Sequence, residues 1–180
     1  MPYATVDRRK RKTDRRATEA SVMLTGVLEH ACQLERYPRA EITVTLSILQ
    51  SDGSELAVAL NAATLALVDA GVAMSDMPVA CTAGYLAEHV LTDLTHQESS
   101  GGDCVLPVAW RPTADAVAMI MSSARLAPDR LAQVVDVALH GCRLVYEYIA
   151  TVVKDTAEAS FSARVAGAAG LHEAEEDMDS

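Results

Sequence analysis

Apolar residues recur along this chain at two periods, and each change of period marks an element boundary. Ala20, Leu24, Val27, Leu28, Ala31 and Leu34 fall on one face of a 3.6-residue repeat. They predict an amphipathic helix that opens near Asp14, a competent N-cap, and stops at Pro38. Ile42, Val44, Leu46 and Ile48 then alternate with Thr43, Thr45 and Ser47, the period of a strand with one buried face. The turn Ser51-Asp52-Gly53-Ser54 closes it. Residues 55–70 are apolar almost all round, and with Gly71 as a C-terminal stop they predict a buried helix.

Three or four strands follow, at 78–86, 88–94, 104–110 and 116–121, separated by a polar loop over 95–103 and a turn over 111–115. Short connections predict that they run as an antiparallel meander. Pro128 opens a last, long helix with a stripe of Leu131, Val135, Ala138, Cys142, Val145, Ile149 and Val152. Helix, strand, buried helix, strands and long helix together predict an α+β fold, a mainly antiparallel sheet packed with helices.

Composition narrows this picture. With 180 residues, half of them hydrophobic, the chain has material for one core. One domain is expected over residues 1–157, carrying a basic N-terminal segment. The acidic run over 173–179, after the Ala/Gly-rich stretch 166–170, predicts a disordered acidic tail over 158–180. No run is long and apolar enough to predict a membrane span, and no apolar segment follows the first residues as in a secretory signal. Cys32, Cys81, Cys104 and Cys142 are far apart, with no Cys-x-x-Cys pair and no His at ligand spacing. They predict small buried hydrophobes and neither a metal site nor a disulfide framework.

Charge is distributed unevenly. Arg8, Arg9, Lys10, Arg11, Lys12, Arg15 and Arg16 are seven of the fifteen basic residues in a chain of net charge −10. A block this dense suits phosphate neutralisation, and equally a solvated arm or an import signal.

Five stretches taken together resemble the RNase PH family: Tyr37-Pro38-Arg39, the 49–54 segment Leu49-Gln50-Ser51-Asp52-Gly53-Ser54, the run from Asn61-Ala62-Ala63 to Met74, Asp93-Leu94-Thr95-His96-Gln97-Glu98, and Arg125-Leu126 ahead of the last helix. Within that family the pattern is similar to exosome ring subunits of the type that is catalytic in archaea, over about residues 7–155. The resemblance implies an RNase PH-like domain, the ribosomal protein S5 domain 2-like fold. It also implies that a segment like Tyr3-Ala4-Thr5 lies inside the domain, so that Met1 looks like an internal methionine. The first strands are then missing, which predicts an open sheet edge and uncovered apolar surface.

Active members of the family use inorganic phosphate to attack the last phosphodiester at an RNA 3′ end, which requires a cationic cradle and carboxylates. Where that cradle would present Gly, Ser or Thr, and Arg at a helix N-terminus, this chain has Ser54, Glu55 and Leu56. The arginine is replaced, and Glu55 repels an anion; Ser54 then reads as a helix cap. Asp93 matches the first family carboxylate, but Ser99 stands where the second belongs, with Glu98 one position early. The site is therefore expected to be degenerate, Asp93 a hydrogen-bonding residue and His96 a surface-loop residue, with no metal and no cofactor. Arg15 and Arg16 match paired arginines directed at RNA phosphates, and with Arg11 and Lys12 they are the expected RNA-binding residues. Tyr3 and Tyr37 are too few aromatics for a stacking platform, so any grip on single-stranded RNA is expected to ignore sequence.

The resemblance thus implies a non-catalytic or weakly catalytic exosome ring subunit. Its expected partners are other RNase PH-like ring subunits, RNA-binding cap subunits and single-stranded RNA, with no membrane, in the nucleus, nucleolus and cytoplasm. Two other readings remain open at this point: an active phosphate-dependent 3′-5′ exoribonuclease, and a free-standing protein with no RNA role.

Overall fold

The structure is a computed structural model that describes residues 15–102, 104–122 and 126–176. Its elements are α1 (Arg15–Ala31), a 3-10 turn (Leu34–Arg36), α2 (Glu55–Asp69), β1 (Val79–Leu86), β2 (His89–Thr92), α3 (His96–Gly101), β3 (Cys104–Arg111), β4 (Ala116–Ile120) and α4 (Pro128–Glu176). The four strands form one antiparallel sheet in the order β2-β1-β3-β4. The α+β expectation holds.

Alternation along β1 and β3 sends side chains to two apolar layers. On one face, Ala80 and Ala109 pack with Leu60, Ala63 and Leu67 of α2 and with Leu24, Val27 and Leu28 of α1. On the other, Ala83, Tyr85, Leu106 and Val108 pack with Val134 and Ala138 in the first part of α4. Leu60 and Leu106 are fully buried, and each such side chain contributes about 1.5–3 kcal/mol by leaving water.

β2 pairs only with Ala83–Leu86, so among the described residues the outer edge of the first half of β1 has no neighbouring strand. Side chains and a loop complete it. Thr64 Oγ1 donates to the Pro78 carbonyl at 2.9 Å, and Asn61 bonds both the carbonyl (2.9 Å) and the N–H (2.7 Å) of Ala80. The Asp93 N–H donates to the Thr82 carbonyl at 2.8 Å. α2 and the loop after β2 thereby supply partners to four backbone groups on this edge that a neighbouring strand would otherwise bond. Farther along, buried Asp76 accepts from the N–H groups of Met77, Thr113 and Ala114 and ties the β3–β4 turn to the start of β1.

Four expectations need correction. The alternating segment over 42–48 belongs to no strand: its side chains have the right period, but no described element runs beside it to supply a ladder. Val44, Leu46, Ile48 and Leu49 are consequently exposed. The strands are not a simple meander, because β3 returns to the far side of β1. β1 is buried on both faces and so takes the centre, whereas the four-residue, half-exposed β2 takes the edge. The loop expected over 95–103 contains α3, closed by a capping box in which the Thr95 hydroxyl accepts from the Glu98 N–H and the Glu98 carboxylate accepts from the Thr95 N–H. Finally, α4 continues to Glu176 through Ala-rich sequence of high helix propensity, so 158–176 is helical and not a disordered acidic tail, and 177–180 lie outside the described residues.

α1 ends at Ala31, before Pro38, and Asp14 lies outside the described residues. α2 stops as expected, with Gly71 at a φ of 71° and its N–H donating to the Val68 carbonyl. The chain divides into two compact units, Met1–Cys142 and Arg143–Ser180. In the second, Leu144, Tyr148, Val152, Phe161 and Val165 are exposed.

Candidate functional site

The two segments that carry the expected phosphate-site and carboxylate positions meet in the structure. Gly53 has a φ of 118°, and a Cβ on it would collide with the Leu94 carbonyl oxygen. Only glycine allows the turn before α2 to lie directly on the loop after β2. The two loops are fastened by the His96 N–H donating to Asp52 Oδ1 at 3.3 Å. A separation of 44 residues in sequence is thus closed by one bare backbone position and one carboxylate.

Ser54 occupies the N-cap position of α2 in the left-handed region, at φ 53° and ψ 22°, and its side chain makes no capping bond. This corrects the expectation that it caps the helix. An N-cap needs extended backbone to aim its oxygen at the N2 and N3 amides, and the left-handed turn removes that aim. The Ser54 hydroxyl is instead buried without a hydrogen-bond partner. Glu55 is exposed and accepts from the Ser51 hydroxyl. Leu56 is half-buried, packing against the core shared by α1 and α2 and also lining the cleft beside the site.

Asp93 sits exposed at a φ of 55°, held by its N–H on the edge of β1. Glu98 is committed to α3. Its carboxylate accepts from the Thr95 N–H at 2.8 Å and from the Thr95 hydroxyl at 2.9 Å, and these bonds hold its pKa below the usual glutamate value. Ser99 donates to the Thr95 carbonyl at 2.8 Å. Glu98 and Ser99 thus both bond to Thr95 within the start of α3. His96 is exposed at the start of α3, as expected of a surface residue. The Thr-x-x-Glu spacing of the capping box was present in the sequence, and Asp52, read there only as a turn residue, is the tie that joins the two loops.

Electrostatically the site is one-sided. Asp52, Glu55, Asp93 and Glu98 gather near it, while the sequence has no Lys or Arg between Arg39 and Arg111. No group of three or more His, Cys, Asp or Glu that could hold a metal ion exists among the described residues. A cleft of about 790 Å³ leads from the site toward the start of α1, lined by Ala17, Leu24, Leu46, Glu55, Leu56 and His96 among others. Arg15, the first residue of α1, is exposed, with Nε donating to Glu19 at 3.0 Å. Such a surface pair is worth about 0.3–0.5 kcal/mol and leaves the guanidinium available to an anion. Arg11, Lys12 and the side chain of Arg16 lie outside the described residues.

Residues 1–73 match the 3′ exoribonuclease family, domain 1, and residues 76–141 match domain 2 of the same family. The chain belongs to the RNase PH family. Among curated RNase PH relatives, it is 37% identical over 153 residues to the exosome complex component RRP41 homolog of Arabidopsis thaliana, covering 85% of this chain and 64% of that protein. It is 36% identical over 146 residues to the exosome complex component Rrp41 of Cenarchaeum symbiosum, covering 81% and 60%. The chain therefore spans about three fifths of the length of these relatives. In fold it matches rice Rrp46, with a TM-score of 0.71 at 21% identity over 78% of this chain and 67% of that one. It also matches a chain of the Archaeoglobus fulgidus exosome with RNA bound to the active site, with a TM-score of 0.60 at 20% identity over 75% and 62%. These last two likenesses establish an RNase PH-like fold.

Proposed function

We propose that this protein is an RNA exosome ring subunit that contributes assembly and RNA contact to 3′-5′ RNA processing and degradation, without itself carrying out phosphorolysis. The exosome reading is supported by relatives that bear the name of an exosome component along most of the chain's length. The non-catalytic reading rests on one observation: between Arg39 and Arg111 the chain offers no Lys or Arg, and the position at the start of α2 is the apolar Leu56, half-buried against the core. An attacking phosphate there would face Glu55 and Asp93, and no lysine or arginine between Arg39 and Arg111 offsets its charge.

On this reading its neighbours are other RNase PH-like ring subunits, with RNA-binding cap subunits on one face, and it works in the nucleus, nucleolus and cytoplasm. Single-stranded RNA would be held through phosphates by Arg11, Lys12, Arg15 and Arg16, independently of sequence. The assembled complex, given RNA and inorganic phosphate, should release no nucleoside diphosphate that depends on this subunit. Phosphate-dependent release that is abolished by Asp93→Asn would establish an active exoribonuclease instead. Arg15→Ala with Arg16→Ala should weaken RNA binding and flatten its salt dependence by about one unit of slope for each phosphate no longer neutralised. Unchanged binding would leave the basic segment with no RNA role.

A further inference from the structure

The geometry points to Cys81 and Cys142 as a thiol pair that a small disulfide oxidant converts to an internal disulfide, fastening β1 to α4. Cys81 lies on β1 directly opposite Val108 of β3. Cys142, on α4, donates its thiol to the Val108 carbonyl at 3.6 Å, so its sulfur lies above the ladder pair that Cys81 helps to form. The residue before it, Gly141, is what lets Cys81 come up against α4. A Cβ built on Gly141 would stand 2.6 Å from Cys81 Sγ and 3.4 Å from Cys81 Cβ. The missing side chain is therefore the space that the Cys81 sulfur occupies against α4. Cys142 also responds to its neighbour: after burial, which is the larger cause, the charge of Cys81 raises its pKa.

Access is asymmetric. Cys142 is fully buried, whereas Cys81 is partly exposed. With oxidised glutathione as the oxidant, the Cys81 thiolate attacks one glutathione sulfur, and the first glutathione thiolate leaves. Cys142, giving up its proton to solvent, then attacks the Cys81 sulfur of the mixed disulfide, and the second glutathione leaves. Two protein thiols are oxidised by two electrons, and one glutathione disulfide is reduced to two thiols. Burial, and after it Asp93, raise the Cys81 pKa, which lowers its thiolate fraction and slows the first step, so excess oxidant favours it. Cys32 and Cys104 are elsewhere in the fold, Cys32 bridging to Met74 and Cys104 packed at the start of β3. They should not compete.

The test is to treat the full chain with oxidised glutathione, quench in acid, unfold, alkylate the remaining thiols and map the peptides. The expected product has lost two hydrogens, carries alkyl groups on Cys32 and Cys104 only, and yields a peptide joining Cys81 to Cys142. Its melting temperature should rise and return to the starting value with dithiothreitol. In Cys81→Ser, Cys142 should remain alkylatable after the same treatment. A stable glutathione adduct on Cys81, a crosslink to another cysteine, or four alkylated thiols in the treated wild-type chain would each overturn the inference.

Discussion

Single positions decide how the site's two loops and the sheet's two layers come together. Gly53 combines a backbone angle that side chains rarely adopt with close approach to the Leu94 carbonyl, so Gly53→Ala must move one loop or the other. The expected loss is about 2–4 kcal/mol of unfolding free energy, measured by urea titration. A wild-type value would show that the two loops do not depend on that approach. Cys142 illustrates a different residue-scale effect. Burial pushes its thiol from the ordinary 9.0 up to about 12. Folded chains then hold that proton more tightly than unfolded ones, so the stabilisation is complete below pH 9 and is lost as pH rises toward 12. Unfolding free energy should fall between about pH 8 and about pH 11, and fall less steeply in Cys142→Ala. Parallel slopes in the two proteins would contradict the shift.

Among the elements, the join between α2 and β1 is made by hydrogen bonds as much as by apolar burial. Asn61 answers both backbone groups of Ala80, at 2.7 and 2.9 Å, where no strand is available to do so. Asn61→Ala leaves a partly buried donor and acceptor without partners and should cost about 2–4 kcal/mol, with hydrogen exchange at Ala80 accelerated ahead of the rest of β1. Uniform exchange along β1 would indicate that water replaces the side chain without loss. None of this was legible in the sequence. The helical pattern over 55–70 marked α2 correctly, but the pattern is the same whether Asn61 faces solvent or a strand edge. α3 is the opposite case, since Thr95 and Glu98 spell a capping box and a six-residue helix was there to be read.

For the molecule as a whole, the apolar segment over 42–49 is the feature that its own elements leave unfinished. Ile48 is 62% exposed and Leu49 97%, beside a cleft whose walls are α1 and α2. An apolar face of this kind should bind anilinonaphthalene sulfonate in the native state. Ile48→Ser with Leu49→Ser should lower that fluorescence while changing stability by less than about 0.5 kcal/mol, because neither side chain is in the core. A large loss of stability would mean that the segment packs more tightly than its exposure indicates.

The division between what was written in the sequence and what folding decided follows from the range of the forces involved. Periodicity located α1, α2, the four strands and α4, because which side of an element is apolar is a local property of a few successive residues. The absence of an arginine at Leu56 was equally plain, since a missing charge needs no geometry to be seen. Strand order, the failure of 42–48 to become a strand, the burial of the Ser54 hydroxyl and the approach of Cys81 to Gly141 were settled only in three dimensions. Each depends on a partner far away in the chain, and a sequence records which groups can pair without recording which of them come within reach.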